Sequence, residues 1–216
     1  MKDTLIIGID LSGPRNIADS CVAVFHQRPE SLCFQRATEG AGDRQVFDLI
    51  SDVGRAHPVV VGLDAPLSYN PGGGDRPSDR ALRRVTTAKG RVGVMPPTLI
   101  RMVYLTLRGM ALTRALETLR PRMELRIVEV HPGASMLLHG APPGDVTTFK
   151  RDAAARRSLL EWLQETHLEN LPRDGQPTDH YVAACAAAAA AWHWSSGRAA
   201  WCHPAQPSEH PYDFAC

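Results

Sequence analysis

Short, wholly apolar runs alternate along the chain with amphipathic stretches, the pattern of strands buried on both faces with helices laid against them. Residues 5–9 (Leu-Ile-Ile-Gly-Ile) are the first such run, and Asp10-Leu-Ser-Gly-Pro14 ends it in turn residues. Residues 20–25 and 31–36 are β-rich and separated by Gln27-Arg28-Pro29-Glu30, so an antiparallel three-strand meander is expected. A helix follows over 43–55, with Val46, Phe47, Leu49 and Ile50 on its apolar side and His57-Pro58 as its stop. Residues 59–63 (Val-Val-Val-Gly-Leu) predict a second buried strand ending at Asp64-Ala-Pro66, and 125–130 a third, closed by His131-Pro-Gly133.

The stretch between these strands reads as helical with breaks. A loop with three consecutive glycines (71–77) leads to Ser78, placed to cap a helix running to Arg84, and Gly90 with Pro96-Pro97 interrupts the chain again. Residues 98–119 are helical and apolar on most sides, which predicts a buried helix. Residues 150–169 form an amphipathic helix carrying Leu159, Leu160, Trp162 and Leu163. Residues 178–194 carry an alanine run that suits a helix pressed closely onto a sheet, and the last twenty residues read as coil. The order β-β-β-α-β-α-α-β-α-α makes this an α/β protein. No repeat or domain boundary interrupts it, so 1–216 is taken as one domain, with 65–120 as a helical, basic insertion and 201–216 as a tail.

Composition adds exclusions. With 216 residues, 44% hydrophobic and 22% charged, wholesale disorder is not expected. No apolar run approaches the ~20 residues of a membrane helix, and the opening segment is too short for a signal core, so a cytoplasmic protein is the default expectation. Five cysteines without a C-x-x-C pair argue against a disulfide framework and against a structural zinc site. Nine histidines invite a metal reading, yet none has H-x-x-x-H or H-E-x-x-H spacing, and His193, His203 and His210 are expected at the surface. Charge is uneven: from Arg76 to Arg114 nine cations, Arg91 among them, stand against the single anion Asp79. Such a segment can hold a phosphate-bearing partner.

The chemistry lies in a rhyme. Ile7-Gly8-Ile9-Asp10 and Val61-Gly62-Leu63-Asp64 are each a buried strand that ends on a carboxylate. Ligands of open α/β sheets sit beyond the carboxyl ends of strands, so both acids would face one crevice if the strands are neighbours. Glu129 stands inside the third strand, on one face with Ile127 and His131, and Asp179 opens the alanine-rich helix. Clustered carboxylates repel and protonate unless a cation neutralises them, and Mg²⁺ or Mn²⁺ are the hard ions suited to oxygen ligands. Each acid also has an ordinary reading: a turn former at Asp10 and Asp64, a partner for a buried arginine at Glu129, a helix cap at Asp179. Arg76, beside the triple glycine, with Arg80, Arg83, Lys89 and His131, is the candidate phosphate-binding set, although arginines at helical spacing also describe a solvated face. No G-x-S-x-G occurs, and neither Ser12 nor Ser135 has a visible base, so serine hydrolysis lacks support.

Taken together, Ile-Gly-Ile-Asp10-Leu-Ser12, Gly-Leu-Asp64-Ala-Pro-Leu, Arg76-Pro-Ser-Asp79-Arg80-Ala-Leu-Arg83 and Glu129-Val-His-Pro-Gly-Ala-Ser135 resemble the family catalogued as domain of unknown function 429, whose members are labelled predicted nucleases of ribonuclease H-like fold. The resemblance implies a mixed five-stranded sheet, three antiparallel strands first and parallel strands after, flanked by helices. It places Asp10, Asp64 and Glu129 at the family's acidic positions and Asp79 and Arg83 in its mid-chain motif. The family often opens its last helix with two acids one turn apart; here Ala183 stands one turn after Asp179. The expected function is a Mg²⁺- or Mn²⁺-dependent phosphodiester hydrolase acting on nucleic acid, with Asp10, Asp64, Glu129 and Asp179 as ligands. A non-catalytic nucleic-acid-binding or scaffold protein is the alternative, and an actin-like nucleotide-dependent phosphotransferase fits less well because the chain has no room for its second domain. The sequence leaves the oligomeric state open, a homodimer included, and predicts no membrane partner.

Overall fold

The two rhyming strands lie side by side at the centre of the sheet. In the computed structural model, which describes residues 3–90, 92–172 and 175–216, β1 (Leu5–Asp10) pairs antiparallel with β2 (Cys21–Gln27), and β2 antiparallel with β3 (Leu32–Glu39). Arg91 lies outside the described residues. On its other side β1 runs parallel to β4 (Val59–Asp64), which runs parallel to β5 (Leu125–Val130). These are the expected five strands, in the order β3-β2-β1-β4-β5, but the sheet has eight. A two-residue strand β6 (Leu168–Glu169) extends it beyond β3, and β7 (Cys202–His203) with β8 (Phe214–Ala215) extends it beyond β5. The tail is therefore mostly coil, as expected, but two short strands fix it to the sheet. Burying Phe214 and Ala215 against β5 ties it to the core.

Helices cover both faces. α1 (Asp43–Val53) and α3 (Ile100–Glu117) pack on the side of Ile7, Ile9, Val61, Leu63 and Ile127. α4 (Pro132–Leu138), α6 (Ala153–Thr166) and α7 (Asp179–Ser195) pack on the side of Ile6, Val60 and Val128. α2 (Pro77–Thr87) and α5 (Pro143–Thr148) lie against α4 and α6. α4 stands where the sequence predicted only a stop and α5 where it assigned nothing, because Pro132 and Pro143 occupy first helical positions, where a missing N–H costs nothing. Pro77 likewise starts α2, so its cap is Arg76, not Ser78.

α7 carries twelve consecutive buried residues, Val182 to His193, and lies directly on β1 and β4. The fit requires Gly8 and Gly62. A Cβ on Gly62 would stand 2.5 Å from the Ala187 carbonyl oxygen and 2.8 Å from the Ala191 Cβ, and one on Gly8 would overlap the Ala184 carbonyl and the Ala188 backbone nitrogen. Small residues on both surfaces thus let helix and sheet backbones approach. Gly8→Ala is expected to cost about 1–3 kcal/mol through overpacking, read as a lowered urea midpoint. Gly13→Ala, where a Cβ would meet nothing within 4 Å, should stay within ~0.5 kcal/mol of wild type; equal midpoints for the two variants would refute this account of the contact.

α3 departs from its predicted burial. Thr106, Gly109, Leu112, Thr113 and Leu116 form one buried stripe, whereas Ile100, Tyr104 and Leu107 are exposed. The layer takes one side of the helix and nothing covers the other. Among the described residues no helix is long and apolar enough to cross a membrane.

Candidate functional site

The parallel register sets Asp10 beside Asp64 at the carboxyl ends of β1 and β4, on strands about 4.8 Å apart. Side chains alternate along a strand, so both acids share the face of Gly8 and Gly62, under the start of α7. That helix brings His180, whose Nδ1 donates to Asp10 Oδ2 at 2.7 Å. Its Nε2 lies 3.8 Å from Oδ1 of both Asp19 and Asp179. The Thr178 hydroxyl caps α7 by accepting the Tyr181 N–H at 3.0 Å, which fixes where His180 starts. The hydrogen bond to Asp10 holds the His180 imidazole above its ordinary pKa against the opposing effect of burial, with help from Asp179 and Asp19. Burial, then the adjacent Asp10 carboxylate, hold the Asp64 carboxyl well above the usual carboxylate range; the Lys150 ammonium works in the other direction.

Glu129 is not part of this group. It registers with Leu63, so it points to the opposite face from Asp64. There Oε1 and Oε2 accept from Arg76 Nη2 and Nη1 at 2.6 and 2.9 Å, and Oε2 also accepts the Leu67 N–H at 2.9 Å. The same guanidinium donates to Asp79 from Nη2 at 2.7 Å and from Nε at 3.0 Å. Arg76, Asp79 and Glu129 are all buried, and Ser68, which bridges to His210 at 2.9 Å, completes the cluster.

The predicted phosphate-binding set divides in the same way. Arg76 serves the two internal carboxylates. Arg83 holds Asp75 through two bonds of 2.7 and 2.8 Å and donates to the Val94 carbonyl. His131 caps α4, its Nδ1 accepting the Ala134 N–H at 3.2 Å and its Nε2 3.4 Å from the Gly93 carbonyl; burial lowers its pKa. Arg80 and Lys89 remain at the surface, touching only the Asp75 and Leu138 carbonyls. Ser12 shares a 2.8 Å hydrogen bond with Ser20, and buried Arg108 donates to the Ser12 carbonyl, Ser20 and Asp43, pinning the turn after Asp10.

The profile of the family described as "Protein of unknown function (DUF429)" matches residues 8–209. The chain belongs to this family. No curated protein and no solved structure matches it. In this DUF429 chain, reading the sequence missed His180, Asp19 and Lys150. His180 had a local signal, since it follows Asp179 in the first turn of a helix aimed at the strand ends. Asp19 and Lys150 come from a single 3-10 turn and from beyond α5, and no spacing announces them. His193 and His210, expected at the surface, are buried. A cleft of about 960 Å³ lies beside α6 and carries Glu39, Glu161, Glu165 and Glu169 against Arg157, a charge unsuited to a polyanion.

Proposed function

We propose that the chain is a divalent-cation-dependent phosphodiester hydrolase of ribonuclease H-like type acting on nucleic acid. The order β3-β2-β1-β4-β5, with the first three strands antiparallel, supports that fold reading. The observation that carries the function is the pair Asp10 and Asp64: two carboxylates side by side at strand ends, one of them held well above its ordinary pKa by burial and by the other. Such a pair fits Mg²⁺ or Mn²⁺, which would restore the ionised form of Asp64. When bound, the ion supplies a water of lowered pKa and charge neutralisation for the phosphate. Asp179 borders the same place and would complete the oxygen set, while Glu129 is held by Arg76 and contributes to folding instead.

The chain's own groups then have defined tasks. His180 keeps Asp10 in place through Nδ1 and presents Nε2, its proton favoured by Asp19 and Asp179, as a proton donor for a leaving oxygen. Lys150, exposed and close enough to lower the Asp64 pKa, would meet a phosphate there, and the exposed Arg80 and Lys89 would be outlying contacts for a long polyanion. Binding without turnover is the competing reading, and the withdrawal of Glu129 favours it. Incubating purified protein with single-stranded, duplex, hybrid and branched nucleic acids in Mg²⁺ or Mn²⁺ separates the two. Metal-dependent cleavage that vanishes in Asp10→Asn is expected; salt-sensitive binding with no cleavage selects the scaffold, and neither activity removes both.

A further inference from the structure

A second group of ligating side chains lies at the far end of α7. His180 and His193 are thirteen residues apart on that helix, about 20 Å at 1.5 Å per residue. Around His193 stand His139, which follows α4, and His167, which follows α6. One ring nitrogen from each of the three lies within 4.8 Å of the other two. His139 Nε2, His167 Nε2 and His193 Nδ1 are buried and have no hydrogen-bond partner. A buried imidazole nitrogen without a partner is costly, and three within reach of one another are costlier.

We propose that His139, His167 and His193 form a Zn²⁺ site that clamps α4, α6 and α7 together. Three neutral nitrogens with no carboxylate or thiolate suit zinc, and a tetrahedral ion would leave one position for water. Burial supports the neutral state of each ring, lowering His167 to about 4 and His193 to about 3, with His139 shifted the same way. The cavity between the imidazoles, Ser135 and Trp162 is about 10 Å³, roughly one water in size. It admits an ion but no substrate, so the role is structural. His139 and His193 stack at 4.1 Å between centroids, whereas His167 meets His193 edge-on at 4.5 Å. Coordination therefore requires the His139 ring to turn about χ2, a broad torsion, and its half-buried place at the end of α4 gives it room.

The site has no counterpart in the sequence pattern, because its ligands come from three helix ends and not from one helix turn. It is also independent of the Asp10–Asp64 pair, so either proposal can fail alone. The test uses the full chain, stripped with a chelator and titrated with ZnCl₂ in a calorimeter. With excess Mg²⁺ present to occupy the Asp10–Asp64 pair, one Zn²⁺ per chain is expected, with a thermal midpoint raised by several degrees. His139→Gln and His167→Gln should each weaken binding by about 100-fold or more, whereas His57→Gln, at a histidine that stands elsewhere beside His26, should leave it unchanged. Co²⁺ added to the stripped wild-type chain should give the intense visible bands of a tetrahedral site, a readout that does not depend on any variant folding. Absence of saturable Zn²⁺ binding, an octahedral Co²⁺ spectrum, or undiminished affinity in both glutamine variants would overturn the proposal.

Discussion

Replacing Arg76 with alanine is expected to destabilise the protein by about 3–5 kcal/mol, because it leaves two buried carboxylates without their shared cation. Arg76, Asp79 and Glu129 are 4%, 1% and 2% exposed, so water cannot take over the lost contacts. The guanidinium uses Nη2 for both acids, Nη1 for Glu129 and Nε for Asp79, a planar fork that lysine cannot reproduce. Arg76→Lys should therefore recover only part of the loss. Arg80→Ala, a few residues along α2 but at the surface, should stay within ~0.5 kcal/mol of wild type. Urea denaturation measures all three. The experiment also separates two roles for the arginine. A phosphate contact would lower nucleic-acid affinity with stability unchanged, whereas the ion cluster lowers stability first. A loss below about 1 kcal/mol in Arg76→Ala would mean that Glu129 is less committed than its geometry indicates.

The same cluster shows what a linear pattern can and cannot carry. Asp10 and Asp64 were legible because each follows an apolar run that had to be a central strand, and adjacency then follows from the short list of parallel topologies. The alanine run was legible as a closely packed helix, and Gly8 and Gly62 are its complements on the sheet. Glu129 was legible as an unusual acid inside a strand, but not its partner: Arg76 lies 53 residues away, in a loop whose path the periodicity does not encode. His139, His167 and His193 met no local spacing rule for the same reason, since only the packing of three helix ends brings them together. The short helices were lost differently. The linear pattern makes His131-Pro-Gly a stop and assigns nothing to the stretch around Pro142-Pro143-Gly144, yet proline at a first helical position begins a helix as readily as proline elsewhere ends one. The exposed apolar side of α3 was lost because apolarity all round predicts burial all round, and one layer buries one stripe.

Asp64→Asn should separate stability from function. In metal-free protein the native state holds the Asp64 proton to a higher pH than the unfolded chain does, where the pKa is about 3.9. Native protein therefore binds the extra proton in that window, and the contribution of Asp64 to stability, fully present below the unfolded value, is lost as pH rises through the raised native value. Asparagine has no such proton, so the variant should lack this slope and gain about 0.5–2 kcal/mol over wild type near neutrality, the usual gain from relieving a strained functional position. His180 adds a loss of the same sign as pH rises through its own raised pKa, but its bond to Asp10 persists in both proteins and cancels in the comparison. Saturating Mg²⁺ should flatten the wild-type slope by favouring the ionised carboxylate and leave the variant unmoved. Cleavage should fall by about 10³-fold or more, as when one member of a set acting as a unit is removed. Urea midpoints across the pH range, with and without Mg²⁺, decide the matter. A variant less stable than wild type at neutral pH, or one whose slope matches it, would show that Asp64 is a satisfied structural acid, and the hydrolase reading would lose the pair on which it stands.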